Sequence, residues 1–288
     1  MLSRLKSFGL VGINGYPIDV EVDLVLSLPR YDVVGLPDAS IKEGKDRVRS
    51  ALGNSGFEYP LYKITVNLAP ADMPKEGPIY DLPIALGLLC ASEQIPTNSV
   101  DDFVILGELS LNGDVRKING ILPMLISARE NGFKKVIIPS QNKLEASFIE
   151  GLEIYPVDSL KQTVAFLKHE IEIEPIKMSS YEDKIKSAEV PNDFCFIKGQ
   201  KMAKRALEIA AAGGHNVIMI GPPGSGKTML AKSFPSILPD MTFGEALEVT
   251  KIHSVSGTLD SKQGIMLTRP FRAPHHTTTN VTMVGGGR

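Results

Sequence analysis

Eight consecutive residues carry the clearest chemistry in this chain: Gly221, Pro222, Pro223, Gly224, Ser225, Gly226, Lys227 and Thr228. They satisfy G-x-x-x-x-G-K-[ST] at every fixed position, a pattern whose glycines let the backbone curl until successive N–H groups point at a phosphate. The lysine of such a loop reaches the β- and γ-phosphates, and the hydroxyl that follows holds the Mg²⁺ bridging them. A helix opening near Lys227 adds its positive dipole end. The expected ligands are therefore ATP and Mg²⁺, with Thr228 as the metal-binding side chain. Hydrolysis asks for more, namely a carboxylate at the end of a neighbouring apolar strand and usually an arginine from a partner subunit. Residues 229–288 contain no run of four apolar residues followed by Asp-Glu. Binding is expected of this chain, and autonomous turnover is not.

The motif requires a buried strand before it and a helix after it. Asn216–Ile220 reads as the strand and Met229–Phe234 as the helix; upstream, Gln200–Ala212 is Ala-rich and helical and stops at Gly213-Gly214. The first 168 residues alternate short apolar runs with turn signals. Strands are expected at Val20–Leu28, Tyr62–Leu68, Phe103–Leu109 and Lys135–Ile138, and helices at Ile41–Asn54, Asp81–Ala91, Ile121–Asn131 and Gln162–Lys168. Between the two regions, residues 169–190 are charged and without a long apolar face, which reads as a linker. The organisation expected is α/β: a first domain at 1–168, the linker at 169–190, and a nucleotide-binding domain at 191–288 that looks cut short.

Composition excludes several classes. No run of 18 apolar residues and no amino-terminal signal pattern occurs, so a spanning or exported chain is not expected and a cytoplasmic location is the default. Cys90 and Cys195 stand alone, without the spacing of a disulfide framework or zinc module. Charge is uneven: residues 1–190 hold 20 Lys and Arg against 27 Asp and Glu, whereas 191–288 hold 11 against 6. The basic second region is compatible with a polyanion partner and equally with ordinary solvated surface.

Two further groups bear on partners. His275-His276 are adjacent and lack a third ligand nearby, which argues against a metal site. Arg269, Arg272, His275 and His276, within the Thr-rich stretch 268–284, suit phosphate contacts that need charge and hydroxyls without base-specific geometry; a structural loop near the nucleotide fits the same residues. Ile197, Gly199 and Gln200 offer an apolar side chain beside backbone groups, suited to a flat base.

Residues Ile197-Lys198-Gly199-Gln200, the run Ala203 to Asn216, the phosphate loop and Arg269-Pro270-Phe271-Arg272-Ala273-Pro274-His275-His276-Thr277 together resemble the ComM family of magnesium-chelatase-like AAA+ ATPases. Ser7-Phe8-Gly9-Leu10-Val11-Gly12 and Val34-Gly35-Leu36-Pro37-Asp38 are similar to the amino terminus of that family, so the resemblance covers nearly the whole chain. It implies an amino-terminal α+β domain with the fold of the Lon protease catalytic domain, followed here by an incomplete AAA+ domain. It places the adenine at Ile197, Gly199 and Gln200. In Lon enzymes a serine follows a Gly-Pro and a lysine stands at a helix start; here Gly77-Pro78 is followed by Ile79-Tyr80, and the helix opens Gly120-Ile121-Leu122. Nucleophile and base are both missing, so proteolysis is not expected. Asp72, Glu76 and Asp81 flank that vacant site. The family further implies a hexameric ring, in its complete form, that couples ATP to DNA branch migration in natural transformation. The acidic motif, arginine finger and helical lid expected of that form are not found in these residues. The alternatives are a magnesium-chelatase ATPase subunit, against which the Lon-like half argues, and a non-catalytic remnant or partner-binding module.

Overall fold

Strict alternation of apolar and polar residues builds the first hairpin. Strand β1 (Leu2–Val11) pairs antiparallel with β2 (Asn14–Val25) from Leu2↔Asp23 to Val11↔Asn14. On β2 the side chains of Tyr16, Ile18, Val20, Val22 and Leu24 are buried, and the intervening acids lie on the other face. There they meet β1's bases, with Arg4 on Glu21 and Lys6 on Asp19. The remaining strands are β3 (Arg30–Val34), β4 (Lys63–Ala69), β5 (Phe103–Ile105), the short ladder of β6 (Glu108–Leu109) with β7 (Val115–Arg116), then β8 (Lys135–Pro139) and β9 (Glu153–Val157). Seven of them form one mixed sheet in the order β3-β4-β2-β1-β5-β8-β9, antiparallel at β4-β2-β1 and parallel elsewhere. A computed structural model provides these coordinates and describes residues 1–186, 192–260, 262–275, 277–279, 281 and 285.

Helices pack on both faces of this sheet. In α1 (Ala39–Asn54) the cap residue Asp38 accepts the Ile41 N–H at 2.8 Å and also the Gly77 N–H at 2.9 Å. Helix α2 (Asp81–Ala91) is buried along its entire length. A Cβ at its Gly87 would stand 2.6 Å from Val22 Cγ2, so glycine is what lets helix and sheet approach so closely. The one charge in α2, Asp81, is held by a two-pronged bond from Arg47 at 2.7 and 3.1 Å. Burial pushes its carboxyl up to about 6 even so. Helix α3 (Ile121–Glu130) packs on the other face, where Gly15 lies against Pro123 and Met124 and Phe133 meets Phe8 edge-on; α4 (Lys143–Ala146) and α5 (Leu160–Leu167) follow.

The chain divides into two compact units, Met1–Ser180 with Leu247–Ile265, and Tyr181–Ala246 with Met266–Arg288. The second contains α6 (Tyr181–Lys186), α7 (Lys201–Gly213) and α8 (Lys227–Ser233), around a small core of Phe194, Ile197, Leu207 and Leu230. A ninth helix, α9, runs Phe243–Val255.

These units differ from the ranges read from sequence. Residues 169–180, read as linker, lie with the first unit: the Ile176 N–H donates to the Ile154 carbonyl at 2.9 Å, and Ile173 and Ile176 pack on the core. The charged Glu-Ile-Glu-Ile text hides a period-2 apolar side that only an extended segment presents. Residues 247–265 also belong to the first unit. The Gly120 N–H donates to the Ser254 carbonyl at 3.0 Å, and the Ser254 hydroxyl bonds the buried Glu145 carboxylate, which also accepts the Leu122 N–H at 3.3 Å. Burial raises the Glu145 carboxyl above its ordinary value.

Elsewhere α2 and α3 match their expected positions closely. The run expected as one strand at Phe103–Leu109 is instead split into β5 and β6. The strand expected at Asn216–Ile220 is not formed. Ile218 is 84% and Ile220 91% exposed, and no strand is paired with this stretch among the described residues. A strand's ladder bonds come from neighbours, so an apolar run without them stays irregular.

Candidate nucleotide site

The phosphate loop is shaped by its glycines. Gly224 and Gly226 sit at φ +78° and +87°, a region that side chains with a Cβ rarely enter, and nothing lies within 4 Å of where either Cβ would stand. The loop closes on itself through the Ser225 N–H to the Pro222 carbonyl at 3.4 Å. Lys227 folds over it: its ammonium donates to the carbonyls of Gly221 and Pro222, both at 2.8 Å, and to the Ser225 hydroxyl at 3.3 Å. Helix α8 starts directly behind, with left-handed Gly226 as its cap and no side chain bonded to its first turn. Gln200, itself at φ +52°, donates from Nε2 to the Ser225 carbonyl at 3.2 Å and so ties the start of α7 to the loop. Gln200, Gly221, Pro222, Ser225 and Lys227 share one cleft of about 340 Å³ with the exposed Ile218.

These residues fit a polyphosphate. The ammonium is held only by oxygen acceptors, which phosphate oxygens can replace, and the open space at the two glycines admits an anion close to the backbone. Thr228 opens elsewhere, onto a cleft of about 380 Å³ with Asn192, Asp193, Phe196 and Lys232. Lys227 and Thr228 therefore line different clefts. Of the three residues read as base contacts, Gly199 and Gln200 are exposed beside the loop, whereas the Ile197 side chain is buried with Phe194, Leu207 and Leu230. Its carbonyl accepts the Lys204 ammonium, which also lies 5.3 Å from the centre of the Phe194 ring.

The residues read as polyanion contacts are placed separately from this loop. Arg269 donates from Nε to the Pro239 carbonyl at 2.8 Å and forms an ion pair with Glu245 at 3.3 Å. The Thr242 N–H, with Arg269 behind it, holds the Glu245 carboxyl below its ordinary value. Arg272 and His275 are exposed, and His275 Nδ1 shares a hydrogen bond of 2.8 Å with Thr277. His276 lies outside the described residues. Among the described residues no cluster of three His, Cys, Asp or Glu is arranged for a metal, and no helix is long and apolar enough to cross a membrane.

The first unit has its own cleft, of about 630 Å³, where Glu76-Gly77-Pro78-Ile79 meets Lys117-Ile118-Asn119 and Met124. The cleft thus joins Gly77-Pro78-Ile79, read in the sequence as lacking the nucleophile, to the residues just before the helix start at Gly120 and to Met124 of that helix. Lys117 reaches this cleft, yet no Ser, Thr or Cys lines it. Of the flanking acids, Glu76 lines the cleft, Asp72 is exposed, and Asp81 is buried against Arg47. The lone acids in the sequence did not distinguish these three environments; only the tertiary pairing does.

Comparison with known proteins shows which family the chain resembles. The family described as subunit ChlI of Mg-chelatase matches residues 20–142, and magnesium chelatase, subunit ChlI, matches residues 193–288. The protein YifB of Escherichia coli is 45% identical over 99% of this chain and 55% of its own length. Competence protein ComM of Haemophilus influenzae is 42% identical over 99% of this chain and 56% of its own. Lon protease 2 of Bacillus subtilis is 34% identical over 43% of this chain and 22% of its own. The chain thus spans about half the length of the full-coverage relatives it matches.

Proposed function

Because this chain belongs to the ComM-like family of magnesium-chelatase-related AAA+ proteins, we propose that residues 221–228 bind ATP with Mg²⁺. The observation that carries the reading is the glycine-shaped loop with the Lys227 ammonium resting on its carbonyls. Phosphate oxygens of ATP would take the place of those acceptors on Lys227, Gly199 and Gln200 would border the base, and the Thr228 hydroxyl would hold the metal. A bound magnesium ion would neutralise phosphate charge there. Isothermal titration of the chain with Mg-ATP tests this: Lys227→Ala lowers affinity by about a hundredfold, the loss of one charge-assisted anchor. Equal affinity of the two proteins overturns it.

We infer further that the longer protein is an ATP-driven motor on DNA, assembled as a ring and acting in natural transformation. The resemblance to ComM supports this, as does the name of the Haemophilus relative. Arg269, Arg272, His275 and His276 are the DNA-contact candidates. In the longer protein, Arg269→Ala with Arg272→Ala flattens the log–log salt dependence of DNA binding by about 2; an unchanged slope removes these residues from the interface. The first unit serves as scaffold or docking domain in this reading, since its cleft offers no hydroxyl or thiol to acylate.

A further inference from the structure

The two borders of the seven-stranded sheet are finished differently. On β9, Pro156 has no N–H to offer, and the segment after α5 bonds to Ile154 through Ile176 at 2.9 Å. Strand β3 is paired with β4 alone, from Arg30↔Lys63 to Val34↔Asn67. No described strand lies on its outer side. Its side chains divide by the period of two. Tyr31 and Val33 pack on the core. Arg30, Asp32 and Val34 occupy the opposite face, the one on which Arg4–Glu21 and Lys6–Asp19 form their cross-strand pairs. Arg30 Nε donates to Asp32 at 2.8 Å along the strand. Apolar residues bracket this pair: Leu28, just before the strand, is 87% exposed, and Val34, at its end, 46%.

We propose that β3 is a docking edge for a second copy of this chain, joined by antiparallel β3–β3 pairing about a two-fold axis at Tyr31. The axis stands perpendicular to the sheet, which keeps both packed faces on one side, so residues facing each other must come from the same face. That leaves registers centred on single residues of the strand, of which the one on Val33 sets Asp32 against Val34 of the second copy and leaves Arg30 without an acid. Centred on Asp32, the pairing sets aspartate against aspartate; centred on Arg30, it sets arginine against arginine. Like charges directly opposite are destabilising. Centred on Tyr31, it sets Arg30 against Asp32 of the second copy and Leu28 against Val34 of the second copy, twice by symmetry. Arg30, which stands beside Lys63 of β4 on this face, then gains a carboxylate from across the junction.

The edge is short, so the dimer is weak and reversible, and it needs no nucleotide, which separates it from assembly of a nucleotide-driven ring. Sedimentation of the full chain without nucleotide, from roughly 1 to 300 μM, shows a monomer–dimer equilibrium. Asp32→Arg raises the dissociation constant about tenfold or more by opposing two arginines, and adding Arg30→Asp restores it because the swapped charges again face each other. A second readout does not depend on the stability of these variants. In a Cys195→Ser background, a mixture of the Arg30→Cys and Asp32→Cys chains forms an intermolecular disulfide, whereas neither chain alone does. A monomer at every concentration, a dimer indifferent to Asp32→Arg, or an intermolecular disulfide formed by either cysteine variant on its own overturns the proposal.

Discussion

Isoleucines and leucines of the same kind meet opposite fates in the two units. In the first, α2 and the inward faces of β1, β2 and β4 are excluded from water almost completely. In the second, Ile218 and Ile220 stand almost as open as in an extended chain, a few residues from a loop of well-defined shape. Apolar content alone does not make a core. A run becomes a buried strand only when neighbours supply both its hydrogen bonds and its covering side chains. The first unit contains those neighbours, whereas the described part of the second offers Val217–Ile220 no paired strand and packs only its Met219, partly buried, on the small core. The loop keeps its shape regardless, because left-handed glycines and a lysine bonding two carbonyls are local features.

This contrast can be tested at graded strength. The largest effect belongs to the one charge within α2. Removing its partner with Arg47→Ala leaves Asp81 buried and uncompensated, and is expected to cost the first unit about 3–5 kcal/mol in denaturant unfolding at pH 7. A loss below about 1 kcal/mol would show the helix to be wetter than its burial implies.

A somewhat smaller effect comes from titrating the same carboxyl. The folded unit holds the Asp81 proton more tightly than the unfolded chain, with its value raised from 3.8 to about 6. Its contribution is therefore complete below the unfolded value and is lost as pH rises through the folded one. Between pH 4 and pH 7 this amounts to roughly 2 kcal/mol, and Asp81→Asn flattens that stretch of the stability curve. If the wild-type and Asp81→Asn curves run parallel, the carboxyl is not desolvated.

The smallest effect marks the other side of the comparison. Ile218→Ser and Ile220→Ser change stability by no more than about 0.5 kcal/mol, while Leu86→Ala in α2 costs about 3 kcal/mol. The serine variants also aggregate less at high concentration, because they remove exposed apolar surface. Hydrogen exchange around 216–220 supplies a further check: it is fast relative to α2. Slow exchange there would mean that the stretch is covered in solution.

Much of the first unit was legible from the sequence because its signals are local. Asp81–Ala91 was bounded correctly by its apolar density, and Tyr62–Leu68 differs from β4 by one residue at each end, since clean alternation specifies a half-buried strand. Strand β3 and the extended segment at Ile176 were not legible. Both are defined by the strand beside them, and neither carries an apolar run long enough to announce itself. At the candidate site, the eight-residue motif was readable because phosphate-binding loops fix residue type at fixed spacing. Ile197 was not readable as core, since a single isoleucine beside a glycine looks the same whether it faces a base or Leu207 and Leu230.

By itself the sequence determined the phosphate-loop motif and the family likeness. Each of these rests on which side chain follows which along the chain. Tertiary structure decided the rest. It placed 247–265 with the first unit, gathered Gly77–Ile79 and Lys117–Asn119 around one cleft, bound Arg269 to Glu245, and left β3 with an open side. Those outcomes depend on contacts between residues far apart in the chain, whose free energy comes from exclusion of water and from pairing of charges. No local pattern encodes which distant partner will provide them.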